Sequence, residues 1–273
     1  MNITVYGGGF LGKLIATELN ATLDDRHISS QADLEGSSTI PDIIINAAGK
    51  TGRPNVDWCE DHKDETYAAN VTLVKIFAEH AKKHHIKLVH LSSGCIYEGD
   101  NNGKGFSEDD APNFAGSYYS YTKAEAERIL KDYDNVLVVR PRMPITATPT
   151  PRNLLNKLLG YQKVIVIPNS ITVIEDLLPS LSGLIGAEAT GTFNFVNPEP
   201  VTHKDILELY EKHSGKKLGK TYISAAELVV KAPRSNTILR ADKLRDSGFP
   251  MRHTMESLDA IIKRYVELER SAD

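Results

Sequence analysis

Apolar positions along the chain follow two alternating rhythms. Short runs that are apolar almost throughout, Ile3-Thr4-Val5-Tyr6, Ile43-Ile44-Ile45, Ile86 to Ser92 and Asn135 to Arg140, predict strands buried on both faces. Between them Leu11, Leu14, Ile15 and Leu19, and later Leu73, Ile76, Phe77 and Ala81, recur at helical spacing. A further strand is expected at Arg26-His27-Ile28. This alternation predicts an α/β fold with a doubly wound parallel sheet covered by helices on both faces. Such sheets bind ligands beyond the carboxyl ends of their strands. Gly7 to Gly12, Asn46 to Arg53 and Ser92 to Cys95 all fall at such ends.

The rhythm changes after Pro141, where Pro144, Pro149 and Pro151 interrupt the chain. Strands at Lys163 to Ile167 and Gly191 to Val196 then mix with helices near Glu175 to Ile185, Lys204 to His213 and Leu258 to Val266. Thr202 and Asp205 form a capping pair ahead of the second of these helices. Residues 1–145 are expected to form a Rossmann-type dinucleotide-binding domain. Residues 146–273 would be mainly a smaller α/β substrate-binding domain, with about 171–198 returning to the first.

Composition narrows the functional classes. The chain has 273 residues, 41% of them hydrophobic, and a formal net charge of -4. A nucleic-acid binder that tracks phosphates would be basic, so that class is set aside. No apolar run reaches the roughly 18 residues of a membrane span. The two cysteines, Cys59 and Cys95, do not make a disulfide framework, and a cytoplasmic location is expected.

Gly7-Gly8-Gly9-Phe10-Leu11-Gly12 is a GxGxxG between the first strand and the first helix. Glycines there let the backbone approach a pyrophosphate at a helix N-terminus. Gly7, Gly9, Phe10, Leu11 and Gly12, with Asn46, Ala47 and Ala48 after the third strand, are therefore expected to hold a dinucleotide. The second strand shows no carboxylate for the ribose hydroxyls, and Arg26 or Ser29 and Ser30 would suit a 2′-phosphate. NADPH is the expected cofactor, with NADH as the alternative. Asp33 reads either as an adenine neighbour or as a solvated loop acid.

Tyr119 and Lys123 share one helix face at i and i+4. Among eleven tyrosines Tyr119 alone has this partner, and its place between the apolar runs at 86–92 and 135–140 separates it from a chance surface pair. A phenol that exchanges protons near neutrality needs a cation beside it. Lys123 supplies one, and Ser93 would bind the same carbonyl oxygen. Cys95, two residues on, reads equally as a proton-shuttling thiol or as an inert buried one. His80 and His84 have a zinc-compatible spacing but no further ligands, so a solvated polar face is expected and no metal.

Several longer segments carry a resemblance: Asn46 to Glu60, Gly94-Cys95-Ile96-Tyr97-Glu98, Asp110 to Phe114, Arg140-Pro141-Arg142-Met143-Pro144-Ile145, Pro151-Arg152-Asn153, Ile167 to Ser170 and Ala232 to Asn236. With them the chain resembles extended short-chain dehydrogenases/reductases acting on nucleotide sugars. Within that family it is most similar to the 3,5-epimerase/4-reductases of UDP-rhamnose synthesis. The resemblance implies conversion of a nucleotide-linked 4-keto-6-deoxyglucose, with UDP expected, to the L-rhamnose form. It implies Ser93, Tyr119 and Lys123 for reduction, and Cys95 and Lys157 for proton transfer. Lys157, without the resemblance, reads as an exposed helix lysine. Asn70 is implied at the cofactor, and Lys50, Thr51, Arg53, Arg142, Asn153, Arg234 and Asn236 at the sugar nucleotide. A separate 4,6-dehydratase would supply the ketosugar, since the chain lacks the length of a fused one; a homodimer suits the fold. The glycine turn departs from the family's GxxGxxG because Tyr6 stands where glycine is usual. Two rivals remain: a reductase without epimerase activity, whose family carries tyrosine at the position of Cys95, and a non-catalytic NADP-binding subunit.

Overall fold

The computed structural model describes residues 1–35 and 40–272. Six parallel strands make the main sheet. They are β1 (Ile3–Tyr6), β2 (Thr22–Asp24), β3 (Ile43–Asn46), β4 (Lys87–Leu91), β5 (Val136–Pro141) and β9 (Gly191–Phe195), in the order β2-β1-β3-β4-β5-β9. Two parallel two-stranded pairs accompany it. One joins β6 (Pro144–Ile145) to β8 (Thr172–Val173), the other β7 (Lys163–Ile165) to β10 (Thr221–Ile223).

The continuous apolar runs are explained by what covers each face. Ile3, Val5, Ile43, Ile45, Val89, Leu91, Leu137 and Val139 point to one core, shared with Leu177 and Leu181. The alternate positions Tyr6, Ile44, Leu88, Val136 and Val138 point to the other, shared with Phe77 and Ala126. Period-2 geometry thus buries nearly every residue of the run, one face after the other. Helices α1 (Phe10–Glu18) and α8 (Ile174–Gly186) close the first core; α2 (Gln31–Glu35), α5 (Leu73–Lys83) and α6 (Tyr118–Leu130) close the second. Two short helices, α3 (Trp58–Asp61) and α4 (Lys63–Tyr67), precede a π-helical turn at Ala68–Thr72 that leads into α5.

A separate core gathers Leu155, Leu158, Val173, Ile206, Leu207, Leu258 and Ile262. It lies among α7 (Leu154–Gly160), α9 (His203–Ser214) and α11 (Thr254–Ala272), while α10 (Asp242–Asp246) packs beside β9. Thr202 and Asp205 form the capping box of α9, each side chain accepting the other residue's backbone N–H. Glycine at position 215, φ 75°, ends that helix in the left-handed conformation.

The second strand lies four residues before its expected place. Thr4, Val5 and Tyr6 pair with Thr22, Leu23 and Asp24, and the Gly7 amide donates to the Asp24 carbonyl at 3.0 Å. The β1 ladder sets this register, which leaves Arg26 to fold back on Asp24 and Ile28 to enter the core. The strand is a half-exposed edge with one large apolar residue, so periodicity does not mark it. His80 also differs from its expected solvated place: it is buried, with its ring centroid 4.5 Å from that of His84.

Candidate active site

The glycine turn is shaped by close approach. A Cβ on Gly7, whose φ is +108°, would lie 2.5 Å from the Ala48 amide nitrogen, and one on Gly12 would lie 2.0 Å from the Gly7 carbonyl oxygen. These two glycines let β1, the β3 turn and α1 come together. Gly9 is different: it is the N-cap of α1, and nothing lies within 4 Å of the place of its Cβ. An open, side-chain-free position at a helix N-terminus fits a pyrophosphate, so the donor set here fits a dinucleotide.

Two adjoining clefts meet at this turn. One, about 830 Å³, is lined by Gly9, Phe10, Lys50, Thr51, Arg53 and Trp58, with Lys13 and Arg152 adding charge. No carboxylate among the described residues lines it, which suits phosphorylated ligands. The other, about 460 Å³, is lined by Gly7, Asp25, Arg26, Ser29, Ala48 and Ala69. Here the carboxylate thought absent from the second strand is present. Asp24 ends β2, and the Asp25 side chain lies 3.2 Å from where Gly8 would carry a Cβ. Arg26 is fastened to Asp24 through Nε, 3.0 Å from both oxygens. Ser29 and Ser30 donate both amide and hydroxyl to one oxygen of Asp33. Asp33 is therefore a turn-forming carboxylate, held at about 2 by those donors, and the serines are engaged.

The remaining expected cofactor residues lie behind the wall. Asn46 is fully buried; its Oδ1 accepts the Ala48 amide at 3.1 Å and its Nδ2 faces His90 Nδ1 at 3.3 Å. Asn70 clamps the 49–50 turn, accepting from the Lys50 amide at 2.8 Å and donating to the Lys50 carbonyl at 3.0 Å. Leu11 and Ala47 pack against the sheet core. These residues shape the cofactor wall from within.

Tyr119 lies on the first turn of α6, whose N-cap Ser117 accepts from Ser120 N–H. The phenol is buried. Burial first, then the nearby Cys95, pushes its pKa well above the usual value, while hydrogen bonding to Ser93 and the charge of Arg142 pull it down. Lys123 is buried too and donates to the Leu91 carbonyl at 3.0 Å. Burial lowers it to about 8, against the opposing charge of Glu127. Ser93 Oγ accepts the Cys95 amide at 3.1 Å and so holds the turn after β4.

Arg142 and Asn153 differ from their expected substrate contacts. Arg142 is buried: Nη1 donates to Cys95 Sγ at 2.8 Å and Nη2 to Asn169 Oδ1 at 2.8 Å. It orients the thiol from behind. Asn153 is fully buried as the N-cap of α7, donating to the carbonyls of Thr146 and Thr148 and accepting from Leu155; it builds the helix that carries Lys157 and has no free donor. Arg234 makes a two-point pair with Asp57, at 2.7 and 2.9 Å, and Asn236 is tied to Glu98 and Asn169. Through Asp57 and Glu98 these two fasten the 232–236 segment to the turns after β3 and β4. Lys157, by contrast, is half-buried, and burial together with Arg152 lowers its pKa, with Cys95 opposing. The reading as an exposed lysine is overturned. Lys13, Trp58, Arg152 and Asp25 escaped sequence reasoning. Only Asp25, one residue past the acid that ends the short second strand, left a local signal.

The profile of the RmlD substrate binding domain family matches residues 16–267. A bifunctional dTDP-4-dehydrorhamnose 3,5-epimerase/dTDP-4-dehydrorhamnose reductase of Arabidopsis thaliana is 41% identical, over 100% of this chain and 95% of its own length. A trifunctional UDP-glucose 4,6-dehydratase/UDP-4-keto-6-deoxy-D-glucose 3,5-epimerase/UDP-4-keto-L-rhamnose-reductase of the same plant is 40% identical over 94% of this chain, which spans 41% of that protein. The crystal structure of the L780 UDP-rhamnose synthase of Acanthamoeba polyphaga mimivirus superposes with a TM-score of 0.90 at 30% identity, covering 97% of this chain and 99% of that one.

Proposed function

The chain belongs to the RmlD substrate binding domain family, and we propose that it is a 3,5-epimerase/4-reductase. It would convert a UDP-linked 4-keto-6-deoxyglucose to the UDP-L-rhamnose form. One observation carries the reading: a half-buried lysine of lowered pKa, Lys157, and the half-buried Cys95, whose charge opposes that lowering, lie beside the Tyr119–Lys123 pair. A reductase alone needs only the tyrosine and lysine. The extra thiol and amine are what inversion of two carbons next to a ketone requires.

In this reading Tyr119 and Ser93 donate to the C4 oxygen and stabilise the enolate formed when a C3 or C5 proton leaves. Cys95 and Lys157 remove protons and return them on the opposite face. Burial and the charge of Arg152 lower the pKa of Lys157 and so favour the neutral amine that a base must be. Arg142 keeps the Cys95 sulfur aimed at the sugar. Gly7, Gly9, Gly12, Phe10 and Ala48 would hold NADPH, Arg26 meeting the 2′-phosphate. When bound it supplies hydride to C4. Tyr119 then gives its proton to the C4 oxygen, completing the alcohol, and Lys123 favours that transfer. Lys50, Thr51, Arg53 and Arg152 face the sugar diphosphate. Residues 1–145 thus serve mainly the cofactor and 146–273 the sugar nucleotide, in a cytoplasmic enzyme fed by a separate 4,6-dehydratase.

Cys95→Ser and Lys157→Ala test the assignment. Each is expected to abolish solvent-deuterium uptake at C5 or C3 while reduction of an already epimerised ketosugar continues. Full uptake in both variants would remove these residues from the mechanism.

A further inference from the structure

Behind the catalytic turn lies a buried ion pair that the chemistry above leaves unused. Glu127 and Arg140 are each about 95% buried, at 5% and 3% exposure. Arg140 Nε lies 3.0 Å from both Glu127 oxygens and its Nη2 2.6 Å from one of them. The guanidinium also faces the Tyr97 ring at 5.4 Å. A buried pair seldom improves stability over well-packed apolar residues, so its retention invites a functional reading.

The carboxylate has two further neighbours. The Ser92 hydroxyl donates to Glu127 Oε1, and Ser92 immediately precedes Ser93 and the turn to Cys95. Lys123 lies four residues before Glu127 on α6, one helical turn away on the same face. Facing Lys123 from other elements are His90 of β4, the Leu91 carbonyl and Cys95; Gly49 approaches from the β3 turn. His90 is fully buried and its pKa is lowered by burial, so it is neutral near pH 7. Glu127, held by Arg140, is the charged acid that faces Lys123.

We propose that Glu127 is a positioning residue for the reductive step. One oxygen of its carboxylate fixes Ser92 and with it the Ser93–Cys95 turn, and its charge holds the positive charge of Lys123 inside the protein. The proposal rests on the reductase reading of Tyr119 and Lys123. Removing the Glu127 charge leaves burial of Lys123 unopposed on its own helix. Lys123 then loses its proton at lower pH, and the alkaline limb of kcat moves down with it.

The test uses protein labelled with 13C at the lysine ε-carbon, with the Lys123 signal assigned by its loss in Lys123→Met. In the wild type the signal is expected to titrate near pH 8. In Glu127→Gln the midpoint is expected about two pH units lower, as Coulomb coupling across one helical turn at an effective dielectric of about 20 suggests. Glu127→Gln/Arg140→Met removes the unpaired guanidinium, guards against misfolding, and is expected to show the same shift. Ser92→Ala should lower kcat about tenfold without moving the midpoint, the loss of one hydrogen bond to a charged group. An unmoved midpoint in both folded Glu127 variants, or a wild-type kcat in Ser92→Ala, would overturn the corresponding half of the proposal. The midpoint is read without turnover. A shift in a protein that reduces no ketosugar would refute the functional reading and leave the coupling of Glu127 to Lys123 standing.

Discussion

Gly9→Ala and Gly12→Ala should have different effects, although the two glycines lie three residues apart in one motif. Gly9 has φ -76° and ψ -173°, a conformation alanine adopts freely, and its Cβ would meet no atom within 4 Å. Alanine there removes freedom from the unfolded chain, worth about 0.4–1 kcal/mol, but as an N-cap alanine is poorer than glycine by a similar amount. The two offset, and Tm should stay within about 2 °C of the wild type. The same methyl occupies the space a pyrophosphate would take. Overpacking costs about 1–3 kcal/mol, which weakens dinucleotide binding by about 5- to 150-fold. At Gly12 the Cβ would stand 2.0 Å from the Gly7 carbonyl oxygen and 3.2 Å from Ala47 Cβ. That overlap is with backbone, so β1 and α1 must separate, and a loss of about 3 kcal/mol or more is expected. Thermal unfolding of the cofactor-free protein and NADPH titration by fluorescence measure both quantities. A Gly9→Ala protein that binds NADPH as the wild type does would refute the seat assigned to the pyrophosphate.

Other outcomes follow from the site. Lys123 has its pKa lowered to about 8 by burial, so between pH 8 and about 10.4 the unfolded chain holds the extra proton and stability rises with pH through that window. Lys123→Met should therefore unfold at higher temperature than the wild type at pH 7, on the order of 3 kcal/mol, with the gap closing by pH 10; a constant gap would contradict it. Arg142→Met is expected to lose most deuterium uptake by letting the Cys95 sulfur turn away, while reduction of the epimerised ketosugar falls less; equal losses in the two assays would make Arg142 a general structural residue. Arg152→Gln removes the positive neighbour of Lys157, raises the lysine's pKa and moves the acid limb of epimerisation to higher pH; an unchanged limb would take Lys157 out of the base role. Arg26→Ala should lower kcat/KM for NADPH about tenfold relative to NADH, and Asp25→Asn should shift the ratio toward NADPH; unaltered ratios would place the discrimination elsewhere.

The main sheet was legible because strands buried on both faces are apolar at every position, as at Ile43-Ile44-Ile45, and because the glycine turn follows the first of them at once. The placement of Cys95 just after β4, and of Tyr119 and Lys123 on the helix between β4 and β5, was legible for the same reason: the strands around them are. What was hidden depends on contacts remote in sequence. The edge strand Thr22–Asp24 is set by its ladder with β1, and without that ladder its acids read as loop. Asn153 and Arg142 carry polar groups that suit a substrate, yet their partners in the fold are a helix end and a cysteine. Asp57 takes up Arg234 from 177 positions away, a distance across which no local pattern speaks. Lys157 gains its character from burial and from Arg152, neither of which spacing reveals.

The central claim is that one chain both epimerises and reduces. Incubating the pure protein with UDP-4-keto-6-deoxyglucose and NADPH in deuterated buffer, with the product read by NMR, tests it most directly. UDP-L-rhamnose carrying deuterium at C3 and C5 is the predicted result; NADPH oxidation without deuterium at those carbons, or no turnover at all, would contradict it.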